Sequence, residues 1–349
     1  MKLILKCIVI IGTHLLIVAC TPDFKSISSQ QNKIGYTEIQ FFDSDRQRPL
    51  NVMLWYPAAD ATVQKRHAYK YIFTGYATRD AEYTARAEHH PLILLSHGDR
   101  GNNANQSWLA EALAANGYIV AAVDHWLNTT DNNKPEATAK LWDRPADLTF
   151  VLTQLLNNPI WGQRIDSNRI GAAGHSSGGY TVIALGGAIF NHQLLQHYCT
   201  GENRGPDCDL TNGADFSTID YSAESKSYRD ERIKAIFAMA PAVGQGIESH
   251  SLQRINTPMH IVAANDDEIL KPDLNAKYYA ANIANAKLVT LPRGGHFVFL
   301  SECNTLGKLT SFFIHFDICG RNADVDRATV HREVADEALQ FFGESLPDK

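Results

Sequence analysis

Ser176 is the residue of this chain whose surroundings best suit a nucleophile. It lies at the centre of Gly174-x-Ser176-x-Gly178, after the apolar run Ile170–Ala173 and before the apolar stretch Tyr180–Leu185. A strand, a sharp turn and a helix in that order form the elbow that exposes a nucleophilic serine. Glycine on both sides leaves room for the strained turn. The alternative is a turn that only connects a strand to a helix.

A serine hydroxyl is a weak nucleophile unless a general base takes its proton and an acid orients that base. His296 suits the base because it stands in a glycine-rich turn after the last predicted strand, as the order serine, acid, histidine requires. Three adjacent carboxylates, Asp266, Asp267 and Glu268, follow an earlier apolar run and are candidates for the acid. Spacing alone leaves that choice open, and they could instead form a solvated acidic turn.

A tetrahedral intermediate needs two main-chain N–H donors for its oxyanion. We expect one from Ser177, directly after the nucleophile. The other is expected from Asp99, which follows His97-Gly98 in the position of the oxyanion loop of lipases and esterases. Gly98 could equally form a turn that caps the helix predicted from Asn103.

Alternating apolar strands and helices predict an α/β fold, with a mostly parallel central sheet and helices on both faces. Residues 58–90 are expected to form loop and short helix, and the stretch 188–232 is too long for a simple loop and predicts a cap insertion over the site. The predicted strands are Ile34–Phe42, Leu50–Tyr56, Pro91–Ser96, Tyr118–Val123, Ile170–Ala173, Ile233–Met239, Met259–Ala263 and Lys287–Leu291, and the predicted helices are Asn103–Asn116, Pro145–Leu156, Asp273–Ala284 and Val325–Phe342.

The first twenty residues have the pattern of a targeting segment. Lys2 and Lys6 precede the apolar stretch 7–19, which is too short to span a bilayer. Cys20 follows a small residue, as in a bacterial lipobox, so we expect cleavage before Cys20 and its lipidation; an ordinary secretory signal is the alternative. The expected division is a signal peptide, 1–20, and one domain, 21–349, exported and anchored by lipid to the cell envelope, or secreted.

Four cysteines remain when Cys7 and Cys20 are set aside: Cys199, Cys208, Cys303 and Cys319. An even number in an oxidising compartment predicts two disulfides. Proximity favours the two sequential pairs, although three pairings are possible. A zinc site is the less favoured interpretation of these cysteines, because the chain has neither a C-x-x-C nor an H-E-x-x-H motif. We therefore predict no metal.

The composition bounds the class of protein. The chain has 349 residues, 44% of them hydrophobic, which is enough for one large domain. Its formal net charge is −6 and no basic stripe is visible, which disfavours a nucleic-acid partner.

Taken together, the motifs resemble the α/β-hydrolase superfamily, and most closely the bacterial predicted dienelactone hydrolases related to platelet-activating-factor acetylhydrolases. The resemblance covers nearly the whole chain after residue 20 and implies an α/β-hydrolase fold. The motifs that carry it are Asn51-Val52-Met53-Leu54-Trp55-Tyr56-Pro57, Ser96-His97-Gly98, Val123-Asp124-His125, Arg144-Pro145-Ala146-Asp147, Gly174-His175-Ser176-Ser177-Gly178, Ala240-Pro241-Ala242 and Gly295-His296-Phe297-Val298-Phe299-Leu300.

The resemblance also guides the assignment of roles. Relatives place Gly-x-x-Asp where Asp267 follows Ala264, which favours Asp267 as the acid and leaves Asp266 in reserve. Dienelactone hydrolases proper use cysteine where this chain has Ser176, which favours carboxylic esters over lactones. Relatives have an apolar residue where this chain has Asp99, and a nearby cation such as Arg100 would have to neutralise that charge.

The predicted activity is hydrolysis of carboxylic esters, with short acyl chains, through Ser176, Asp267 and His296 and without a cofactor. One alternative is a phospholipase or acyltransferase that acts on lipid esters. Another is a non-catalytic surface lipoprotein that uses the fold to bind.

Overall fold

The computed structural model describes residues 32–84, 87–202, 204–313, 318–320 and 325–348. The predicted signal peptide and Cys20 lie outside these residues. The strands are β1 Lys33–Asp43, β2 Arg48–Ala58, β3 His67–Tyr69, β4 Phe73–Gly75, β5 Thr78–Arg79, β6 His90–Ser96, β7 Ile119–Val123, β8 Ile165–His175, β9 Ile233–Met239, β10 Met259–Ala264 and β11 Ala286–Leu291. The α-helices are α1 Ser107–Ala115, α2 Pro135–Ala139, α3 Asp143–Asn157, α4 Ser177–Gly186, α5 His192–Thr200, α6 Ser249–Leu252, α7 Ala276–Asn282, α8 Thr305–Phe313 and α9 Arg327–Ser345.

The central sheet has the strand order β11-β10-β9-β8-β6-β7-β2-β1-β5. Six neighbouring strands of this sheet are parallel to one another: β11, β10, β9, β8, β6 and β7. Strand β2 runs antiparallel to both β1 and β7. Ser96, at the end of β6, lies opposite Gly174 of β8. The carboxyl ends of these parallel strands therefore share one edge, where the elbow begins.

Alternating side chains of the strands pack into two separate cores. In β2, Leu50, Val52 and Leu54 belong to one core, whereas Met53 and Trp55 belong to the other. This follows from the two-residue period of a strand, whose neighbouring side chains point to opposite faces. Helices α3, α4 and α7 contribute to the first core and α1 and α9 to the second. The sheet is therefore covered on both faces, as the sequence predicts.

Two predicted helices are shorter than expected because asparagine side chains replace main-chain partners. The helix predicted from Asn103 begins only at Ser107, since Asn102 Oδ1 accepts the Ala104 N–H at 3.0 Å in a preceding turn. The helix predicted over 273–284 is a 3-10 turn followed by α7, and Asn275 between them donates through Nδ2 to the Lys271 carbonyl at 3.4 Å. Such local hydrogen bonds compete with helix formation.

The expectation of short helix within residues 58–90 is wrong for the part that the structure describes. These residues form β3, β4 and β5 instead. Tyr69 anchors the β3–β4 hairpin, because its hydroxyl donates to Glu111 Oε1 at 2.7 Å and accepts from Trp55 Nε1 at 2.8 Å. The hairpin is thereby fastened to α1 and β2, a distant contact that local sequence does not encode.

Candidate active site

Ser176 lies in the turn between β8 and α4 with a φ of 59°, in the left-handed region that side chains other than glycine rarely adopt. Its N–H donates to the Met239 carbonyl at 3.0 Å, and its carbonyl accepts the Ala242 N–H at 3.1 Å. The neighbouring strand β9 and the loop after it therefore hold the serine in this conformation. Strain that the surroundings enforce in this way is characteristic of functional sites.

The two glycines of the motif are required by close backbone contacts. A Cβ atom at Gly174 would overlap the carbonyl of Gly178, and one at Gly178 would overlap the carbonyl of Ser96. The turn is thus packed backbone to backbone between β8, α4 and β6. Any larger residue at either position would displace the serine between them.

His296 and Asp267 complete a hydrogen-bonded chain that begins at Ser176. The Nε2 atom of His296 lies 3.0 Å from Ser176 Oγ, and its Nδ1 atom lies 2.7 Å from Asp267 Oδ2. A carboxylate can only accept, so Nδ1 carries the proton and Nε2 is free to accept the serine proton. The arrangement can therefore deprotonate a serine hydroxyl as it attacks an electrophile.

The structure brings Asp267, rather than Asp266, to the histidine. Asp267 is buried, and its other oxygen, Oδ1, accepts the N–H groups of Ile269 and Leu270 at 3.0 and 2.7 Å. Asp266 is exposed and accepts the Gly294 N–H at 3.3 Å, within the turn that carries His296. Asp266 therefore supports the turn and does not contact the imidazole.

The loop after β6 lies directly beside the serine. A Cβ atom built on Gly98 would be 3.1 Å from the Ser176 Cβ atom, a tighter contact than most Cβ atoms make, so glycine at this position eases the close approach of the loop. Among the described residues, the N–H groups of Asp99 and Ser177 donate to no acceptor. Both predicted oxyanion donors are thus free and lie in the two segments that meet at the serine.

The Asp99 carboxylate lies in a separate cluster of polar side chains. It accepts from Arg100 Nε at 2.8 Å, from Asn128 Nδ2 at 2.7 Å and from the Thr138 hydroxyl at 2.7 Å. Arg100 thus supplies the cation that the charge of Asp99 requires beside the proposed oxyanion site.

A second Ser–His–Asp cluster lies behind the oxyanion loop. His125 Nε2 is 2.9 Å from Ser96 Oγ, and His125 Nδ1 is 3.0 Å from Asp147 Oδ2. Arg48 donates to both oxygens of Asp147 at 2.8 Å, and Arg46 lies 2.9 Å from it. Burial alone would raise the pKa of Asp147, but Arg48 and His125 bring that pKa well below its usual range.

The motifs Asp124-His125 and Arg144–Asp147 carry the resemblance, but no role is predicted for them from the sequence. Nor is a role predicted for His175, whose ring packs against His296 with centroids 4.7 Å apart and whose Nε2 lies 3.1 Å from the His296 carbonyl. The presence of these motifs was the available signal, but their contacts join segments far apart in the chain.

The four cysteines form two disulfides, Cys199–Cys208 and Cys303–Cys319. Within the described ranges, no cluster of three or more histidine, cysteine or acidic side chains is placed to hold a metal ion. Nor does the described part of the chain contain a helix with the length and apolar character needed to cross a membrane.

Known proteins similar to this chain are cutinases and an esterase. Cutinase est2 of Thermobifida alba is 28% identical over 137 residues, which cover 39% of this chain and 43% of that protein. Cutinase 2 of Thermobifida cellulosilytica is 26% identical over 139 residues, which cover 39% of this chain and 50% of that protein. The matches thus span half or less of these relatives. No protein-family model matches the chain.

Among solved structures, the ferulic acid esterase from Streptomyces cinnamoneus superposes with a TM-score of 0.62 at 20% sequence identity, covering 92% of each chain. Together with the strand order and the elbow, this likeness confirms the α/β-hydrolase fold. The narrower resemblance to dienelactone hydrolases and platelet-activating-factor acetylhydrolases stays a prediction.

Proposed function

We propose that this chain of the α/β-hydrolase superfamily is a serine hydrolase of carboxylic esters. Ser176 Oγ attacks the acyl carbon while His296 Nε2 takes its proton, and Asp267 orients the imidazole and stabilises its positive charge. The N–H groups of Asp99 and Ser177 hold the oxyanion. The alcohol leaves with a proton from His296, and water then releases the acid from the acyl-enzyme. The observation that carries the proposal is the hydrogen-bonded chain Asp267–His296–Ser176 at a strained elbow.

The proposed substrates are esters with short acyl chains. Ser176 and His296 are each only 5% exposed, which favours a small acyl group over a long chain. Support for ester chemistry in general comes from the relatives, which are cutinases and a ferulic acid esterase. Lipid esters, cleaved by a phospholipase or transferred by an acyltransferase, are the competing class.

We further propose that residues 188–232 form a cap over the acyl pocket. The Cys199–Cys208 disulfide fastens this segment, and all nine residues of α5 keep some solvent exposure. Few buried contacts are typical of segments that open to admit a ligand. Two disulfides also support export, as expected for a protein with a lipid anchor at Cys20 or a cleaved signal.

The proposal is tested with p-nitrophenyl esters of two to sixteen carbons and with labelling by a fluorophosphonate. We expect turnover that falls with acyl length and labelling that is lost in Ser176→Ala. Preference for the longest esters would replace short-chain hydrolysis by the lipid-ester alternative. Absence of both turnover and labelling in the wild-type protein would leave a binding protein with a hydrolase fold.

A further inference from the structure

Arg144, in the first turn of α3, is a buried cation whose hydrogen bonds go to neutral groups. It is 2% exposed, and burial lowers its pKa to about 10. Its Nε donates to Thr181 Oγ1 at 3.1 Å, its Nη1 donates to Asn128 Oδ1 at 2.6 Å, and its Nη2 donates to the His97 carbonyl. Burying a guanidinium without a directly bonded carboxylate is costly, so its retention calls for a reason.

The His97 carbonyl connects Arg144 to the oxyanion loop. The His97 imidazole folds back on the same loop, with Nδ1 2.6 Å from the Gly98 carbonyl. Its Nε2 accepts the His125 N–H at 3.2 Å, so Nδ1 carries the proton and donates to Gly98. That carbonyl belongs to the peptide whose N–H is the proposed donor of Asp99. A hydrogen bond to the carbonyl polarises the peptide and strengthens its N–H as a donor.

The other two acceptors connect Arg144 to the second donor and to the Asp99 side chain. Thr181 Oγ1 donates to the Ser177 carbonyl at 2.7 Å, one helical turn back along α4. Asn128, whose oxygen faces Arg144, donates through Nδ2 to Asp99 Oδ1 at 2.7 Å. One guanidinium thus joins the two segments that carry the proposed oxyanion donors.

We propose that Arg144 is a positioning residue that holds the oxyanion loop at a fixed distance from the start of α4. The planar fork of arginine suits this role, because its rigid donors reach three acceptors at once, whereas lysine offers one point charge. Arg144 touches no reacting atom and acts through His97, Asn128 and Thr181. The inference rests on the proposed serine-hydrolase function, since it concerns the oxyanion of that reaction.

The test compares Arg144→Lys and Arg144→Met with the wild-type protein, and with Arg169→Lys as a matched control. Arg169 is a partly buried arginine of β8 whose Nε donates to Asp166 Oδ2 at 2.8 Å, and the proposed site does not include it. Rates are measured per active site titrated with a fluorophosphonate, which removes the effect of misfolded molecules. A trifluoromethyl ketone, which forms a tetrahedral oxyanion on the serine, is measured as an inhibitor.

We expect Arg144→Met to lower kcat about 10²-fold with KM changed less than about twofold, the size of loss that a 1 Å misplacement of catalytic groups causes. Arg144→Lys should fall between it and the wild type. Inhibition by the trifluoromethyl ketone should weaken by about the same factor as kcat/KM, because both report the oxyanion. Arg169→Lys should keep the wild-type kcat per site.

Unchanged kcat per titrated site in both Arg144 variants would overturn the inference, as would a rise in KM with constant kcat.

If neither variant folds, Thr181→Val removes the link to α4 without changing the side-chain volume. We then expect a loss in kcat of about tenfold, in line with a partial displacement, and an unchanged kcat refutes the role. A wild-type protein that neither turns over esters nor reacts with the fluorophosphonate refutes the proposed function itself, which is a distinguishable result.

Discussion

Two clusters of the same three side chains lie close together in this fold, yet only one of them resembles an active site. Ser176, His296 and Asp267 are joined at 3.0 and 2.7 Å, and Ser96, His125 and Asp147 are joined at 2.9 and 3.0 Å. By distance alone the two are nearly equivalent. The difference lies in the backbone that carries each serine and in the charges around each acid.

Ser96 is the last residue of a central strand, is completely buried, and pairs in register with Gly174. Ser176 lies in a left-handed turn with two free N–H groups beside it. Asp147 is held by two arginines, whereas Asp267 is held by two main-chain N–H groups. A hydrogen-bonded Ser–His–Asp chain can therefore serve a purely structural role. It becomes a candidate for catalysis only at an elbow with oxyanion donors.

The two serines should differ most when each is replaced by alanine. We expect Ser176→Ala to lower kcat about 10⁶-fold, since removal of the nucleophile leaves only binding and the oxyanion donors. Ser96→Ala should retain kcat within about tenfold, because it touches no reacting atom and only its hydrogen bond to His125 is lost, a change worth about 1 kcal/mol in stability. Both are measured with a short p-nitrophenyl ester. Equal losses in the two variants would abolish the distinction between the clusters.

Replacement of the two acids by asparagine should affect different properties, kcat for Asp267 and stability for Asp147. Asp267→Asn should lower kcat about 10⁴-fold with little loss of stability, because the imidazole loses its correct tautomer. Asp147→Asn should instead lower the free energy of unfolding by about 1.5–3 kcal/mol, because buried Arg48 loses its bidentate carboxylate and keeps only the carboxylate of Asp143, at 3.1 Å. Steady-state kinetics and urea denaturation separate the two effects.

Asp266→Asn is the matched control for the acid, since it has the same chemistry one residue away and contacts the turn rather than the imidazole. We expect its kcat to stay within about tenfold of the wild type, as for a change that leaves the imidazole tautomer intact. A loss in Asp266→Asn larger than that in Asp267→Asn would transfer the role of the acid to Asp266.

His125 of the second cluster should couple folding to pH. Burial and the charge of Arg144 lower the pKa of His125 to about 3 in the folded protein, from an ordinary value of 6.5. Between these values the unfolded chain binds a proton that the folded chain does not. The free energy of unfolding should therefore fall as the pH drops from 6.5 towards 3, by about 1.4 kcal/mol per pH unit for this group.

Urea denaturation at pH 7, 6, 5 and 4 measures this slope. His331, whose pKa burial also lowers to about 3, adds a contribution of the same sign. His125→Gln should lower the slope of the free energy of unfolding against pH by the contribution of one titrating group, and the contribution of His331 should remain. A slope that His125→Gln does not change would show that His125 does not govern acid stability.

Local sequence was enough to predict Ser176 and His296 of the first cluster and the turn that supplies its acid. The elbow, the final histidine turn and the carboxylates after β10 each follow a strand, and parallel strands bring their carboxyl ends to one edge. Spacing could not choose between Asp266 and Asp267, because neighbouring residues of a turn point in different directions. The resemblance favoured Asp267, and Asp267 is the one that contacts His296.

The second cluster and Arg144 could not be predicted in this way. Their contacts join residues 48, 96, 125 and 147 in one case and residues 97, 128, 144 and 181 in the other. No period or turn signal relates such positions, since packing of β2, β6, β7 and α3 brings them together. The same reason explains the missed hairpin, whose anchor Tyr69 bonds to Glu111 on a different element.

The three-way contact of Arg144 has a consequence for recombining this chain with its relatives. His97 presents a main-chain carbonyl, which any parent sequence supplies, whereas Asn128 and Thr181 contribute side chains. A crossover between residues 129 and 143 takes Arg144 and Asn128 from different parents. Chimeras built with that crossover keep a satisfied guanidinium only when both parents carry compatible residues, so blocks exchanged between homologues are best cut outside 97–181.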